Sequence, residues 1–105
     1  MTSPASASTS LGRATADRLA AAIRSVRGVA DLHAGRYGEV ATLLPRHRVN
    51  GLRRTPGELE VHLVVDLDAG RPLYEIAAEV RGVVTQLLDA PVTICFADAR
   101  QGTTS

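Results

Sequence analysis

The stretch Glu58-Leu-Glu-Val-His-Leu-Val-Val-Asp-Leu67 decides the fold. Apolar residues occupy every second position from Leu59 to Leu67, and polar residues such as Glu60 and His62 lie between most of them. This period of two is typical of a β-strand with one buried face and one mostly wet face. We therefore predict the strongest strand of the chain over these ten residues.

The segment after this strand predicts a helix and then a last strand. Asp68-Ala-Gly-Arg71 breaks the strand, and Pro72 suits the first position of a helix. Apolar residues then recur at helical spacing from Leu73 to Leu88, and Ala90-Pro91 ends the helix. In the last strand, Val92, Ile94 and Phe96 alternate with Thr93, Cys95 and Ala97.

An amphipathic helix is also predicted before the strand, over Thr15–Arg27. Ala16, Leu19, Ile23 and other apolar residues form one stripe along it. Thr15 is the predicted cap of its first turn, and Gly28 is placed where a left-handed residue would end it.

Three shorter strands are predicted between the two helices, over Val29–His33, Glu39–Leu44 and Val49–Arg53. The turn signal Thr55-Pro56-Gly57 separates the third from the strand over Glu58–Leu67, so these two should form a hairpin.

The element order is therefore α-β-β-β-β-α-β, which predicts an α+β two-layer sandwich. Both amphipathic helices should cover one face of a mostly antiparallel sheet and leave the other face wetter. Residues 1–13 are predicted to be a disordered N-terminal tail because they offer little apolar surface to bury. Residues 14–99 form the predicted domain, and 100–105 a flexible C-terminal tail.

Composition narrows the function classes. A chain of 105 residues is the size of one domain, and its net charge of +1 attracts neither nucleic acid nor an anionic membrane globally. The single cysteine forms no disulfide within the chain, and the three scattered histidines provide no zinc cluster. With no apolar run of membrane-spanning length and no signal peptide, we expect a cytoplasmic protein without a cofactor or metal.

The densest charged feature is an arginine-rich hairpin, defined by four residues within nine positions. It is either a docking patch for phosphate, nucleic acid or an acidic protein surface, or a solvated hairpin edge that resists aggregation. The scarcity of aromatic side chains for base stacking favours the second interpretation. The four residues are Arg46, Arg48, Arg53 and Arg54.

Three smaller motifs have structural explanations that outweigh catalytic or binding ones. Gly35-Arg-Tyr-Gly38 has the spacing of a nucleotide-clamping loop, but it lies between strands and predicts a β-turn. Asp66 and Asp68 lie at a strand exit without a third acidic residue nearby. Cys95 would need a base such as His62 or His33 to act as a nucleophile. We therefore predict no catalytic residues.

Four features of the chain, in this order, resemble one protein family. They are Val26-Arg-Gly-Val29 at the end of the first helix, Gly51-Leu52, the alternating strand Leu59–Leu67, and Gly70-Arg-Pro-Leu-Tyr-Glu-Ile-Ala-Ala-Glu-Val-Arg81. The pattern resembles the alkaline shock protein twenty-three / Gls twenty-four family, the envelope stress response proteins of Gram-positive bacteria.

This resemblance implies a non-enzymatic protein. Members of the family are abundant cytoplasmic proteins that self-assemble and associate with the membrane through a separate anchoring protein. The expectation is therefore a homo-oligomeric scaffold or adaptor that docks on a membrane-anchored partner without inserting into the membrane. The alternative is a small nucleic-acid- or phosphate-binding module that uses the hairpin Arg46–Arg54.

Overall fold

The computed structural model describes residues 12–101. Most of both predicted tails lies outside these residues, although Arg13 already belongs to the first helix and Arg100 to the last strand. Helix α1 spans Arg13–Arg24 and helix α2 spans Leu73–Leu87. A 3-10 turn, Leu67–Ala69, precedes α2. The strands are β1 Val29–Leu32, β2 Ala41–Leu44, β3 His47–Asn50, β4 Leu52–Arg54, β5 Leu59–Asp66 and β6 Val92–Arg100.

Strand β5 is the centre of the main sheet. Strand β6 runs parallel to it along its whole length, from the pair Leu59–Val92 to the pair Asp66–Arg100. The other edge of β5 is shared by two antiparallel strands, with β4 beside the first half of β5 and β1 beside the second. Strands β2 and β3 form a separate antiparallel hairpin. The predicted α+β class and the mostly antiparallel sheet are thus confirmed.

The core lies between the two helices and one face of this sheet. Leu59, Val61, Leu63 and Val65 of β5 are buried on that face, as the period of two predicts. Each buried Val or Leu side chain contributes about 1.5–3 kcal/mol. The helices contribute Ala16, Leu19, Ala20 and Ile23 from α1, and Ile76, Val80 and Val84 from α2.

The core is less completely closed on the side of β6. Six apolar residues that pack against it are only partly buried, and all belong to α2, its C-terminal cap or β6. On the opposite side, Leu32 of β1 and Leu52 of β4 are buried. The partly buried residues are Val83, Leu87, Leu88, Val92, Ile94 and Phe96.

Both helix starts differ from the prediction. Helix α1 begins at Arg13 with Gly12 as its N-cap and no side-chain cap, so the predicted capping role of Thr15 is wrong. Its first intrahelical bond runs from the Ala16 N–H to the Gly12 carbonyl at 2.9 Å. Pro72 is the N-cap of α2 rather than its first helical residue.

Gly28 lies beyond the end of α1 and does not cap it. The helix ends at Arg24 with Ser25 as the C-cap. Gly28 has a φ of +105°, and a Cβ at this position would lie 2.6 Å from Cδ1 of Ile76. A glycine is needed here because helix α2 packs directly against the backbone.

The middle of the chain contains one strand more than predicted. The predicted third strand, Val49–Arg53, is divided at Gly51 into the end of β3 and the start of β4, so the order is α-β-β-β-β-β-α-β. Gly51 has a φ of +86°, which is outside the range of a strand. The predicted turn before β5 is confirmed, since the Thr55 N–H donates to the Glu58 carbonyl at 2.8 Å.

Candidate functional site

The arginine-rich hairpin places its four guanidinium groups on different elements. Arg46 lies in the β2–β3 turn with a φ of +58°, Arg48 lies on β3, and Arg53 and Arg54 lie on β4. The run that is dense in sequence is therefore divided between two sheets.

Three of these four guanidinium groups have partners within the molecule. Arg48 donates to Oδ1 of Asn50 at 2.6 Å and to the Gly38 carbonyl. Arg53 pairs with Glu60 at 3.6 Å. Arg54 donates to the Thr55 carbonyl at 2.8 Å. Within residues 12–101, only Arg46 of the four has neither a hydrogen bond nor an ion pair.

The β2–β3 hairpin is itself anchored to the domain. Nε2 of His47 lies 2.7 Å from Oδ1 of Asp17 on α1. The buried hydroxyl of Thr42 donates to the Leu52 carbonyl at 2.9 Å. These contacts and the local bonds of the arginines fit a solvated, well-packed hairpin edge. Docking through Arg46, Arg48, Arg53 and Arg54 stays a prediction.

The polar face of the sheet brings His62 beside Cys95. The two residues are paired in register on β5 and β6, and Cys95 is exposed. Nε2 of His62 lies 3.7 Å from Oε1 of Glu60. The His33 N–H donates to the His62 carbonyl at 2.9 Å, and Nδ1 of His33 accepts the Gly35 N–H at 2.9 Å. The two histidines line the same groove. Cys95 itself lies on the solvent-exposed surface of β6, and neither of the two grooves described for residues 12–101 includes it.

The loop Gly35–Gly38 forms the predicted β-turn. The Gly38 N–H donates to the Gly35 carbonyl at 3.2 Å. The backbone N–H groups of Glu39 and Tyr37 hold the pKa of the Glu39 carboxyl below its usual value. This carboxylate therefore organises its own turn.

Two other carboxylates also have structural roles. Asp66 accepts the N–H of Asp68 at 3.0 Å and thereby caps the 3-10 turn. The pKa of the Asp31 carboxyl is below its usual value, mainly because the carboxyl accepts the Leu32 N–H and also because the Arg24 guanidinium lies nearby. Within the described part of the chain, no three His, Cys, Asp or Glu side chains are placed to bind a metal ion.

One exposed apolar feature of the described residues is a groove that the sequence did not reveal. This apolar groove, about 560 Å³ in volume, lies where the end of β5, the 3-10 turn, the start of α2 and β6 meet. Val65, Leu67, Leu73 and Phe96 are among the residues that line it. Leu67 is 51% exposed and Leu73 is 47% exposed, so their predicted burial in the strand and helix stripes is wrong.

Tyr74, which follows Leu73 on α2, is 75% exposed. Phe96 of β6 is half-buried and packs against the core. The wide apolar stripe predicted for α2 therefore includes a residue, Leu73, that the fold leaves exposed. Exposed aromatic and aliphatic side chains of this kind are typical of interaction surfaces.

The groove wall is held by a network around Arg71. Nη1 of Arg71 donates to the Arg27 carbonyl at 2.8 Å and pairs with Glu79 at 2.7 Å. Arg27 in turn donates to the Ala69 carbonyl at 3.0 Å. The 3-10 turn and α2 are thereby fixed to the segment that follows α1.

No helix within residues 12–101 has the length and apolarity needed to cross a bilayer. Comparisons of the chain with models of protein families, with characterised proteins and with solved structures find no match.

Proposed function

We propose that this protein is a non-enzymatic scaffold of the cell-envelope stress response that self-associates and docks on a membrane-anchored protein. The family resemblance motivates the proposal, and the apolar groove beside α2 is the observation that carries it. Leu67 and Leu73 expose apolar surface within one concave site, and the exposed Tyr74 follows Leu73 on α2. An adaptor needs such a surface, because burial of apolar area drives protein association.

The groove suits an apolar segment of a partner protein. Its volume lies within the usual range of sites that bind small molecules or side chains. Because the Arg71 network already fixes its wall, a partner would bind without first ordering the turn and helix. Such preorganisation lowers the entropic cost of association.

Membrane association through a protein is testable by sedimentation with membranes from the producing cells. We expect the chain to pellet with these membranes, and to remain in solution after the membranes are stripped by protease. It should also remain in solution with protein-free vesicles of the same lipids. Equal binding to stripped membranes and vesicles would contradict docking on a protein.

Leu73→Glu tests the groove as the docking site. A charge at this position is desolvated when a partner fills the groove, so we expect at least about a tenfold loss of membrane association. Leu43→Glu is the matched control, because Leu43 is 70% exposed on β2 and does not line the groove. Equal loss in both variants, with both folded by circular dichroism, would contradict the assignment.

The nucleic-acid alternative leads to a different expectation for the arginine-rich hairpin. With three of its four guanidinium groups engaged locally, we expect no mobility shift of labelled DNA or RNA at low salt. A module making four phosphate contacts would instead bind with a log–log salt slope of about −3 to −4. It would lose that binding in the double variant Arg53→Glu/Arg54→Glu.

A further inference from the structure

We infer that the outer edge of β6 is the self-association surface, and that two copies of the chain join their β6 strands antiparallel about a two-fold axis at Ile94. This inference rests on the proposed scaffold function and names the surface and partner for its self-association. The sheet would then continue from one copy into the next through paired backbone groups.

The backbone of β6 is free to pair on its outer side. Within the described residues, β6 pairs only with β5. The Leu59 N–H donates to the Pro91 carbonyl at 2.9 Å, so the backbone carbonyl of Pro91 points toward β5. Because successive residues of a strand point their backbone groups to opposite sides, Val92, Ile94 and Phe96 direct theirs outward.

A contact from helix α2 agrees with this direction. Nη2 of the exposed Arg81 donates to the Val92 carbonyl at 3.3 Å, from outside the sheet. This long, solvent-exposed bond is readily exchanged for a backbone donor. The Val92 carbonyl is therefore accessible to a second strand.

The composition of β6 does not protect this edge. Natural edge strands prevent pairing with other chains by being short, or by carrying lysine, proline or inward-pointing charged residues. The run from Val92 to Ala97 contains no charge and no proline, and the whole strand has nine residues. Its one irregularity is the register shift at Ala97, which ends regular pairing beyond Phe96.

A two-fold axis at Ile94 uses all three residues whose backbone groups face outward. Ile94 pairs with Ile94 of the second copy, and Val92 pairs with Phe96 in both directions. Each of these pairs exchanges two N–H to carbonyl bonds, and the pairing stops before the irregularity at Ala97. The half-buried side chains of these residues would also cover the less closed side of the core.

The charges at the two ends of the strand favour antiparallel pairing. Arg81 and Asp89 lie at the start of β6, and Asp98 and Arg100 lie near its end. Antiparallel pairing places the start of one strand beside the end of the other, so each arginine approaches an aspartate of the second copy, while Asp89 also approaches Asp98. Parallel pairing would place Asp98 beside Asp98 and Arg100 beside Arg100, which is unfavourable.

Substitutions of Thr93 and Cys95, whose exposed side chains lie on the polar face, test the edge without disturbing the core. In this register Thr93 lies directly opposite Cys95 of the second copy. The double variant Thr93→Lys/Cys95→Lys therefore sets lysines against each other twice, and like charges in opposite positions oppose pairing. Sedimentation velocity should show a dissociation constant at least about tenfold higher than that of the wild-type chain.

The matched control is Ala14→Lys/Ala21→Lys, which adds the same charge at exposed positions of α1. It should associate like the wild-type chain. If the wild-type chain associates and the β6 variant does so equally, the edge assignment fails and the scaffold function survives. If the wild-type chain is a monomer throughout, both fail.

Crosslinking tests the register itself. Thr93→Cys places a thiol in a non-hydrogen-bonded pair with Cys95 of the second copy, with Cα atoms about 4.5 Å apart. We expect a disulfide-linked dimer under mild oxidation. The wild-type chain should give none, because its two Cys95 residues would lie on a diagonal of about 7–8 Å. The control Thr93→Cys/Cys95→Ala should also give none. Crosslinking of the wild-type chain, or its absence from Thr93→Cys, would overturn the register.

Discussion

Replacing Gly51 by alanine is expected to lower the free energy of unfolding by about 2–5 kcal/mol. The residue has a φ of +86°, which costs a residue with a Cβ about 1–2 kcal/mol. The new Cβ would also lie 2.5 Å from Cβ of Leu32 and 3.1 Å from both the His33 nitrogen and the His62 oxygen. Two of these three atoms belong to the backbone, so relief requires movement of the sheet.

The position of Gly51 explains why that movement is costly. Its N–H donates to the Val40 carbonyl at 2.8 Å, and its carbonyl accepts the His62 N–H at 2.9 Å. It therefore joins the β2–β3 hairpin to the central strand at the point where β1 and β4 meet. A displaced Gly51 would weaken all of these contacts.

Gly82→Ala is the matched control for this change. Gly82 lies within α2 with nothing within 4 Å of an added Cβ. Alanine is favoured over glycine in a helix, so this variant should gain up to about 1 kcal/mol. Urea unfolding of both variants measures the difference. A loss of less than about 1 kcal/mol for Gly51→Ala would contradict the packing described around it.

Leu63→Ala is expected to cost about 2–5 kcal/mol of unfolding free energy. Leu63 has no exposed surface and occupies the core face of β5, between Leu32 of β1 and Phe96 of β6. Alanine would leave a cavity among three strands and both helices. A small domain is stable by only about 5–15 kcal/mol, so this variant approaches the limit of folding.

Leu43→Ala makes the same chemical change at an exposed position of β2. Its effect should stay within about 0.5 kcal/mol. Thermal and urea unfolding of both variants give the comparison directly. Equal effects at the two positions would contradict the assignment of the core to one face of β5.

The main elements could be predicted because their side-chain periods are long and regular. The segment Leu59–Leu67 shows five alternating apolar residues, and α2 carries an apolar stripe over several turns. Together they fixed the two-layer α+β arrangement. The division at Gly51 was missed because apolar residues continue on both sides, although glycine inside a strand pattern is itself a sign of interruption.

The apolar groove could not be predicted, because exposure depends on where neighbouring elements end. Leu67 and Leu73 continue the apolar periods of β5 and α2, yet about half of each residue is exposed. Sequence periods indicate which residues share a face, but they do not show how far that face is covered. The outer edge of β6 could not be predicted either, because the order of the strands in the sheet became known only with the structure.

The concentration dependence of sedimentation velocity tests the central claim most directly. Wild-type protein should be examined from low micromolar to high micromolar concentration under reducing conditions. A scaffold that self-associates will show a sedimentation coefficient that rises with concentration from that of a monomer. A single monomeric species over the whole range would contradict the account.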